Sequence, residues 1–183
     1  KLRRERGAEI DILEGAALRD AEPELSSAYT LGVRVGPMGF TTNPLRLAQS
    51  YCDLFSRRGG KLLRGAVLRL SPSGPVVTIE TSDGTLVADT VVIAAGAWTR
   101  SLVEPLGLAL PLIAERGYHM TFADPGVTLR HVVTELESHF AVTPMEMGLR
   151  IAGTEELGHA DDPPAWRRAD VLQKQARRMF PRA

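Results

Sequence analysis

The chain has 183 residues, 44% of them hydrophobic and 24% charged, with 22 Lys and Arg balanced by 22 Asp and Glu. This length can bury the core of one ordinary domain, and the neutral balance gives no overall attraction to nucleic acid. The basic clusters at residues 1–6 and 177–182 show no aromatic stacking pattern beside their charges. We therefore interpret them as solvated helix faces and expect no nucleic-acid partner.

Cysteine content and apolar runs set two further limits. Cys52 is the only cysteine, which excludes an internal disulfide bond and a thiolate metal cluster and fits a reducing compartment. Its position predicts a core residue. The longest apolar run, residues 91–98, is too short for a membrane span of about 20 residues. Because the chain opens on charged residues that no apolar segment follows, we expect no signal peptide and no transmembrane segment.

Short elements are predicted in residues 1–40. Residues 1–6 resemble the end of a helix, because basic residues fill its last turn and a glycine follows. Residues 8–13 alternate as a short strand does, and residues 14–21 can form two helical turns. The glycines between residues 26 and 39 favour short strands and turns over a helix.

The clearest helix of the chain begins at Pro44. Asn43 can cap it, and proline suits its first position. Two glycines at residues 59–60 end it after a last turn rich in arginine. We predict an amphipathic helix packed on a sheet, with an apolar face formed by Leu45, Ala48, Cys52 and Phe55.

A three-stranded antiparallel excursion and a buried strand are predicted next. Residues 61–70 and 76–81 are predicted strands, and the Asp-Gly step at residues 83–84 supplies the positive φ of a hairpin turn before the chain returns. Residues 91–95 are apolar on both faces, which is typical of a strand at the centre of a covered parallel sheet. Such sheets place ligands at the carboxyl ends of their strands, here at Gly96.

An antiparallel sheet and a final helix are predicted beyond a short helix at residues 100–106. Four closely spaced strands without helices between them favour antiparallel pairing. The final helix starts at Asp162-Pro163-Pro164. The strands lie at residues 112–122, 127–135, 139–143 and 149–154, and the apolar face of the helix comprises Trp166, Ala169, Leu172, Ala176 and Met179.

Common catalytic and metal-binding motifs are absent from the sequence. Gly32, Gly36 and Gly39 have the wrong spacing for a dinucleotide fingerprint. The four histidines lack the spacing of metal ligands, and no G-x-S-x-G nucleophile elbow occurs. We assign no metal site and no catalytic residue.

Five motifs taken together carry more information than any one of them. In order they are T-N-P-L-R-L-A-Q, R-R-G-G-K, S-D-G-T-L-V-A-D-T-V-V-I-A-A-G-A-W-T, P-L-I-A-E-R-G-Y-H and M-G-L-R-I-A-G-T-E-E. This series resembles the FAD-dependent D-amino acid oxidase (DAO) family, and within it bacterial D-amino acid dehydrogenases most of all. The most specific part is A-A-G-A-W-T, followed about twenty residues later by R-G-Y.

The resemblance implies a mixed α/β and α+β fold. Part of a doubly wound FAD-binding domain would be joined to an antiparallel-sheet substrate domain, with the chain truncated at both ends. The FAD pyrophosphate fingerprint and the arginine for the substrate carboxylate would both lie outside it. Residues 1–40 would be a lead-in belonging to the substrate domain, 41–110 the centre of the FAD-binding domain, and 111–183 part of the substrate domain.

The resemblance also implies site residues. Small residues at the end of the 91–95 strand would let the cofactor approach the backbone closely. Arg116 and Gly117 would lead into the substrate domain near the flavin. Phe140 stands where the family often has a tyrosine, so a hydrogen bond from it to the substrate is not expected. The implied cofactor-binding residues are Val67, Ala94, Ala95, Gly96, Ala97 and Trp98, and the implied substrate-binding residues are Tyr118, His139 and Phe140.

The activity that the resemblance implies is oxidation of D-amino acids to 2-oxo acids by hydride transfer to FAD. Oxidation of glycine, sarcosine or another secondary amine by the same chemistry is a second interpretation, and a non-catalytic interaction module is a third. For the 183-residue stretch alone we expect no activity and weak FAD binding. We also expect either a homodimer through an exposed sheet edge or disorder in residues 1–39. The expected location is the cytoplasm, free or peripheral to the inner membrane.

Overall fold

The computed structural model describes residues 5–182, and its fold is mixed α and β with antiparallel sheets, as predicted. Two compact units can be distinguished. One, here called the cavity unit, comprises Tyr51–Arg116 and Glu156–Pro163. The other, the core unit, comprises the described residues up to Ser50, Gly117–Glu155 and those from Pro164 onward.

A pair of antiparallel strands, joined by a connection that contains a helix, opens the core unit. Strands β1 (Glu9–Glu14) and β2 (Leu31–Gly36) pair antiparallel. Helix α1 (Gly15–Ala21) lies between them in the chain and buries Leu18. The predicted strand at residues 8–13 and the helical turns at 14–21 are confirmed. Residues 1–4 of the predicted N-terminal helix end lie outside the described residues.

A four-stranded sheet, with order β6-β9-β8-β7, follows later in the chain. Strand β8 pairs antiparallel with β7 and with β9, which confirms the predicted antiparallel sheet. The strand predicted at 127–135 is shorter than expected, because the backbone N–H groups of Arg130 and His131 donate to the Glu22 side chain instead of to a strand. The strands are β6 (Ala114–Phe122), β7 (Val133–Glu135), β8 (Phe140–Met145) and β9 (Gly148–Gly158).

The last helix supplies much of the buried apolar surface of the core unit. Its sequence pattern places apolar residues every three or four positions, and four of the five predicted face residues are buried, Trp166 being exposed. Trp166 precedes the helix and meets the ring of Tyr118 edge to face. This helix, α4, spans Arg167–Met179, and its buried residues are Ala169, Leu172, Ala176 and Met179.

The cavity unit contains a three-stranded antiparallel sheet with order β3-β4-β5. The predicted excursion is confirmed, although its first strand begins at Val67 and not at residue 61. Leu70 and Val103 are the buried apolar residues of this unit. Its elements are β3 (Val67–Ser73), β4 (Val76–Thr81), β5 (Gly84–Ala88) and α3 (Thr99–Val103), with one 3₁₀ turn at Gly96–Trp98 and another at Glu104–Leu106.

Two predictions of burial are wrong. Residues 91–95 form no strand, and Val92 is 86% exposed, because no strand in the described part of the chain lies beside them to accept their backbone hydrogen bonds. Helix α2 (Pro44–Arg57) has the predicted bounds but buries none of its residues. Cys52, predicted as a core residue, is therefore exposed.

Among residues 5–182 there is no helix with the length and apolarity needed to cross a membrane.

Candidate functional site

The cavity unit has a cavity of about 490 Å³ that is open to solvent, a volume within the range of small-molecule sites. The lining comes from Ala97 and Trp98 of the 3₁₀ turn, from the start of β6, and from the end of the neighbouring strand β9 with the loop that follows it. The lining residues are Ala97, Trp98, Ala114, Glu115, Arg116, Glu156, Leu157, Gly158, His159, Ala160, Asp162 and Pro163.

The wall at Ala97 and Trp98 is shaped by a left-handed glycine. Gly96 has φ +53, a conformation that favours glycine, and it begins the 3₁₀ turn after the 91–95 segment. The Trp98 N–H donates to the Ala95 carbonyl at 3.1 Å, which closes the turn. The Trp98 side chain remains 57% exposed, so its indole face is available to a flat ligand.

The wall formed by the end of β9 and the loop beyond it is held by Arg116. Its Nη1 donates to Glu156 Oε1 at 2.9 Å, and its Nη2 donates to the carbonyl oxygen of Ala160 at 3.1 Å and to that of Asp162. The side chains of Arg116 and Glu156 are 27% and 20% exposed. A single guanidinium thus connects β6 to the end of β9 and to the loop beyond it.

Asp162 closes that loop from within. The His159 N–H donates to Asp162 Oδ2 at 2.7 Å, and the Asp162 N–H donates to the His159 carbonyl at 3.1 Å. A Cβ atom on Gly158 would lie 2.8 Å from Asp162 Oδ2, so the turn is built around a residue without a side chain. We call residues 157–162, which comprise the last two residues of β9 and the four that follow them, the 157–162 loop.

Of the six residues predicted to bind a cofactor, Ala97 and Trp98 line the cavity. Ala94, Ala95 and Gly96 precede them directly in the chain and are not in its lining. Val67 begins β3, where it pairs with Thr81.

The three residues predicted to bind substrate all lie in the core unit. Tyr118 is buried, and its hydroxyl oxygen accepts the Ala165 N–H at 2.6 Å. Phe140 is buried in the hydrophobic core cluster. His139 is exposed and has φ +53 just before β8. Their role in binding stays a prediction.

The sequence did not single out Glu115, Glu156, His159 or Asp162 as lining residues. The Arg116–Glu156 ion pair joins residues 40 positions apart, so only the pairing of their strands could have revealed it. Among residues 5–182, no group of three or more His, Cys, Asp or Glu side chains is placed to hold a metal ion.

Comparison with known proteins gives the family. The DAO family, described as FAD dependent oxidoreductase, matches residues 1–183. The chain belongs to this family. It is similar to a D-amino-acid oxidase of Bradyrhizobium diazoefficiens, with 32% identity over 100% of this chain and 44% of that protein. A D-amino acid dehydrogenase of Methylobacterium radiotolerans is 30% identical over 96% of this chain and 43% of that protein.

A solved structure supports the same fold. Glycine oxidase from Bacillus cereus superposes with a TM-score of 0.77 at 19% identity, covering 98% of this chain and 50% of that one. At this identity the likeness shows the fold alone. The chain spans less than half the length of the two curated relatives.

The lining chemistry of the cavity can be compared with the parts of FAD. Glu115, Glu156 and Asp162 place carboxylates at the cavity, whereas the only cationic Lys or Arg side chain in its lining, Arg116, already binds Glu156 and two carbonyls. A pyrophosphate dianion does not fit such a lining, since like charges repel. An uncharged flat ring beside Ala97 and Trp98 fits it, as does a substrate ammonium group.

Proposed function

We propose that the whole protein containing this chain oxidises D-amino acids to 2-oxo acids with FAD. Membership of the DAO family supports the cofactor, and the two relatives named for D-amino acid oxidation support the substrate class. The observation that carries the proposal is the cavity beside Ala97 and Trp98, at the end of the A-A-G-A-W-T motif.

The residues of this chain bind and orient in this proposal. Ala97 and Gly96 have little or no side chain, so a flat ring can lie close to the backbone, and the Trp98 indole can stack against it. The carboxylates of the cavity attract the ammonium group of an amino acid and orient its Cα. Once the ammonium group has lost a proton to solvent, bound FAD would accept the hydride from that Cα as the C=N bond forms, and water would then hydrolyse the imino acid to a 2-oxo acid and ammonia. No catalytic base is assigned.

The finer site assignment follows the family resemblance. We propose that the backbone near Val67 and the segment from Ala94 to Trp98 contact FAD. We propose Tyr118, His139 and Phe140 as substrate contacts. Since the Tyr118 hydroxyl oxygen already accepts the Ala165 N–H, its remaining capacity is to donate a hydrogen bond. Phe140 can contribute only apolar contact.

The test is to purify the whole protein, record its visible spectrum and add amino acids and amines one at a time without oxygen. Bleaching of the flavin by several D-amino acids is expected. Bleaching by glycine or sarcosine alone would favour the second candidate, amine oxidation. The fold that this chain shares with a glycine oxidase suits that reaction as well as it suits oxidation of D-amino acids. A protein without flavin would favour an interaction module.

The 183-residue stretch alone should be inactive and bind FAD weakly, because the carboxylates of its cavity repel the pyrophosphate. We propose that β5, an edge strand of its sheet, pairs with a second copy. Gel filtration with light scattering measures this directly: a dimer is expected, and a clean monomer would contradict it. For the whole protein we propose a cytoplasmic location, free or at the inner membrane surface.

A further inference from the structure

The 157–162 loop has few hydrogen bonds of its own. Within it, His159 and Asp162 bond to each other, and no residue of the segment from His159 to Ala165 is helix or strand. The loop nevertheless supplies five of the cavity's lining residues, and three of them, His159, Ala160 and Asp162, lie beyond the end of β9. A wall of this kind needs an external support if the cavity is to keep one shape.

Arg116 provides that support through the geometry of its guanidinium. Nη1 binds Glu156 at the base of the loop, and Nη2 reaches the carbonyls of Ala160 and Asp162 at its far side. A planar group with several fixed N–H directions can hold these three acceptors at once, whereas a lysine ammonium on a flexible stem cannot hold them in the same way.

We propose that Arg116 is a positioning residue, which fixes the 157–162 loop as a wall of the cavity and so sets the shape of the site for the substrate. The proposal rests on the proposed function for its link to substrate. Arg116 itself is not expected to touch the reacting atoms, because its hydrogen bonds with Glu156, Ala160 and Asp162 commit its donors to the wall.

Charge and geometry can be separated by two substitutions. Arg116→Met removes the donors and leaves Glu156 without this cationic partner, in a site where its side chain is 20% exposed. Glu156→Gln keeps an oxygen that can accept from Nη1 but removes the negative charge. If the hydrogen bond to Nη1 holds the loop and the negative charge does not, the loop of the second variant should exchange as in the wild type. Arg116→Lys keeps the positive charge and loses the planar guanidinium with its fixed N–H directions.

A matched control is available at Arg34. Its guanidinium makes two hydrogen bonds to Asp11 Oδ2, at 3.1 and 2.7 Å, in an ion pair exposed on the β1–β2 strand pair. Arg34→Met therefore removes the same kind of side chain and an ion pair, away from the cavity lining.

The experiment uses the whole protein and two kinds of measurement. Hydrogen exchange reports opening of the 157–162 loop, and steady-state kinetics with a D-amino acid report KM and kcat. In Arg116→Met we expect the loop amides to exchange about tenfold faster and KM to rise about tenfold, with kcat changed less than about threefold. Arg116→Lys should fall between this variant and the wild type. Arg34→Met should match the wild type in both measurements, and Glu156→Gln should match it in exchange of the loop.

Unchanged exchange of the loop in Arg116→Met would overturn the proposal. Faster exchange with an unchanged KM would also overturn it, since the loop would then not shape the site. If the wild type oxidises no amino acid or amine, the proposed function fails separately. In that case two other measurements test the role of Arg116, namely hydrogen exchange of the loop amides and the visible absorption band of the bound flavin. Both should change in Arg116→Met, and an unchanged result in either would overturn the proposal.

Discussion

One carboxylate oxygen of Glu22 accepts hydrogen bonds from both the backbone N–H and the ring Nδ1 of His131, at 2.7 and 2.8 Å. The same Oε1 also accepts the Arg130 N–H at 3.0 Å. Because a carboxylate can only accept, the Nδ1 of His131 must carry a hydrogen. Glu22 is buried, so it fastens the chain just after α1 to the segment that precedes β7.

Glu22→Ala should lower the free energy of unfolding by about 1–2 kcal/mol, because two partly buried backbone N–H groups lose their acceptor. Glu22→Gln keeps one acceptor oxygen and should cost about half as much. Urea denaturation of the purified protein measures both. His119→Ala, at an exposed histidine of β6, is the control and should change little. Equal stability of the Ala variant and the wild type would refute this role of Glu22.

Glu146 gives a prediction for pH dependence. The Asn43 amide, which donates at 3.0 Å, does most to lower the pKa of the Glu146 carboxyl from its ordinary value. Partial desolvation opposes this effect, and Thr42 and Arg46 add to it. Since the folded pKa is the lower one, the stabilisation is present above the unfolded pKa of about 4.3 and is lost as pH falls through the folded pKa.

Glu146→Gln should therefore be less stable than the wild type at pH 7 and lose less stability on acidification. The measurement is the urea midpoint at a series of pH values from neutral to below the unfolded pKa. Asp124→Asn, at an exposed carboxylate, is the control and should keep the acid dependence of the wild type. Parallel curves for Glu146→Gln and the wild type would contradict the prediction.

Gly148 begins β9 in a conformation that only glycine adopts readily. Its φ is +122, and an added Cβ would collide with the backbone carbonyl group of Phe122. Gly148→Ala should cost about 3 kcal/mol or more, from the positive φ and the overlap together. Gly39→Ala is the control, since a Cβ there meets nothing within 4 Å. The melting temperatures of the two variants are compared with that of the wild type. A decrease for Gly148→Ala no larger than that for Gly39→Ala would show the prediction to be wrong.

Trp98 is predicted to stack against the cofactor in the whole protein. Trp98→Ala should raise the dissociation constant for FAD about tenfold, and Trp98→Phe, which keeps an aromatic face, only about twofold. Titration of the apoprotein with FAD measures both. Met38→Ala removes an exposed apolar side chain outside the cavity lining and should leave the constant unchanged. Full FAD affinity in Trp98→Ala would remove Trp98 from the site.

Local sequence patterns predicted most of the elements. The period of apolar residues in α4 identified Ala169, Leu172, Ala176 and Met179, all of which are buried. The Asp-Gly step placed the β4–β5 turn, where Gly84 has the expected positive φ. These features depend on residues that are close together in the sequence, so local sequence patterns are enough to predict them.

Features that depend on distant partners were not predictable in the same way. Residues 91–95 have the composition of a buried strand, but in the described part of the chain they have no strand to pair with. Arg116 and Glu156 meet only because β6 and β9 are neighbours in their sheet. The candidate site was therefore predicted at Ala97 and Trp98, where a motif marks it, and was missed at the 157–162 loop.

The most direct test of the central claim compares the two enantiomers of one amino acid. The whole protein is purified, oxygen is removed, and the flavin absorption is followed after adding first the L and then the D form. We predict that the D form bleaches the flavin and that a 2-oxo acid and ammonia appear in equal amounts. A protein that binds no flavin, or a flavin that neither enantiomer of any tested amino acid bleaches, would contradict it.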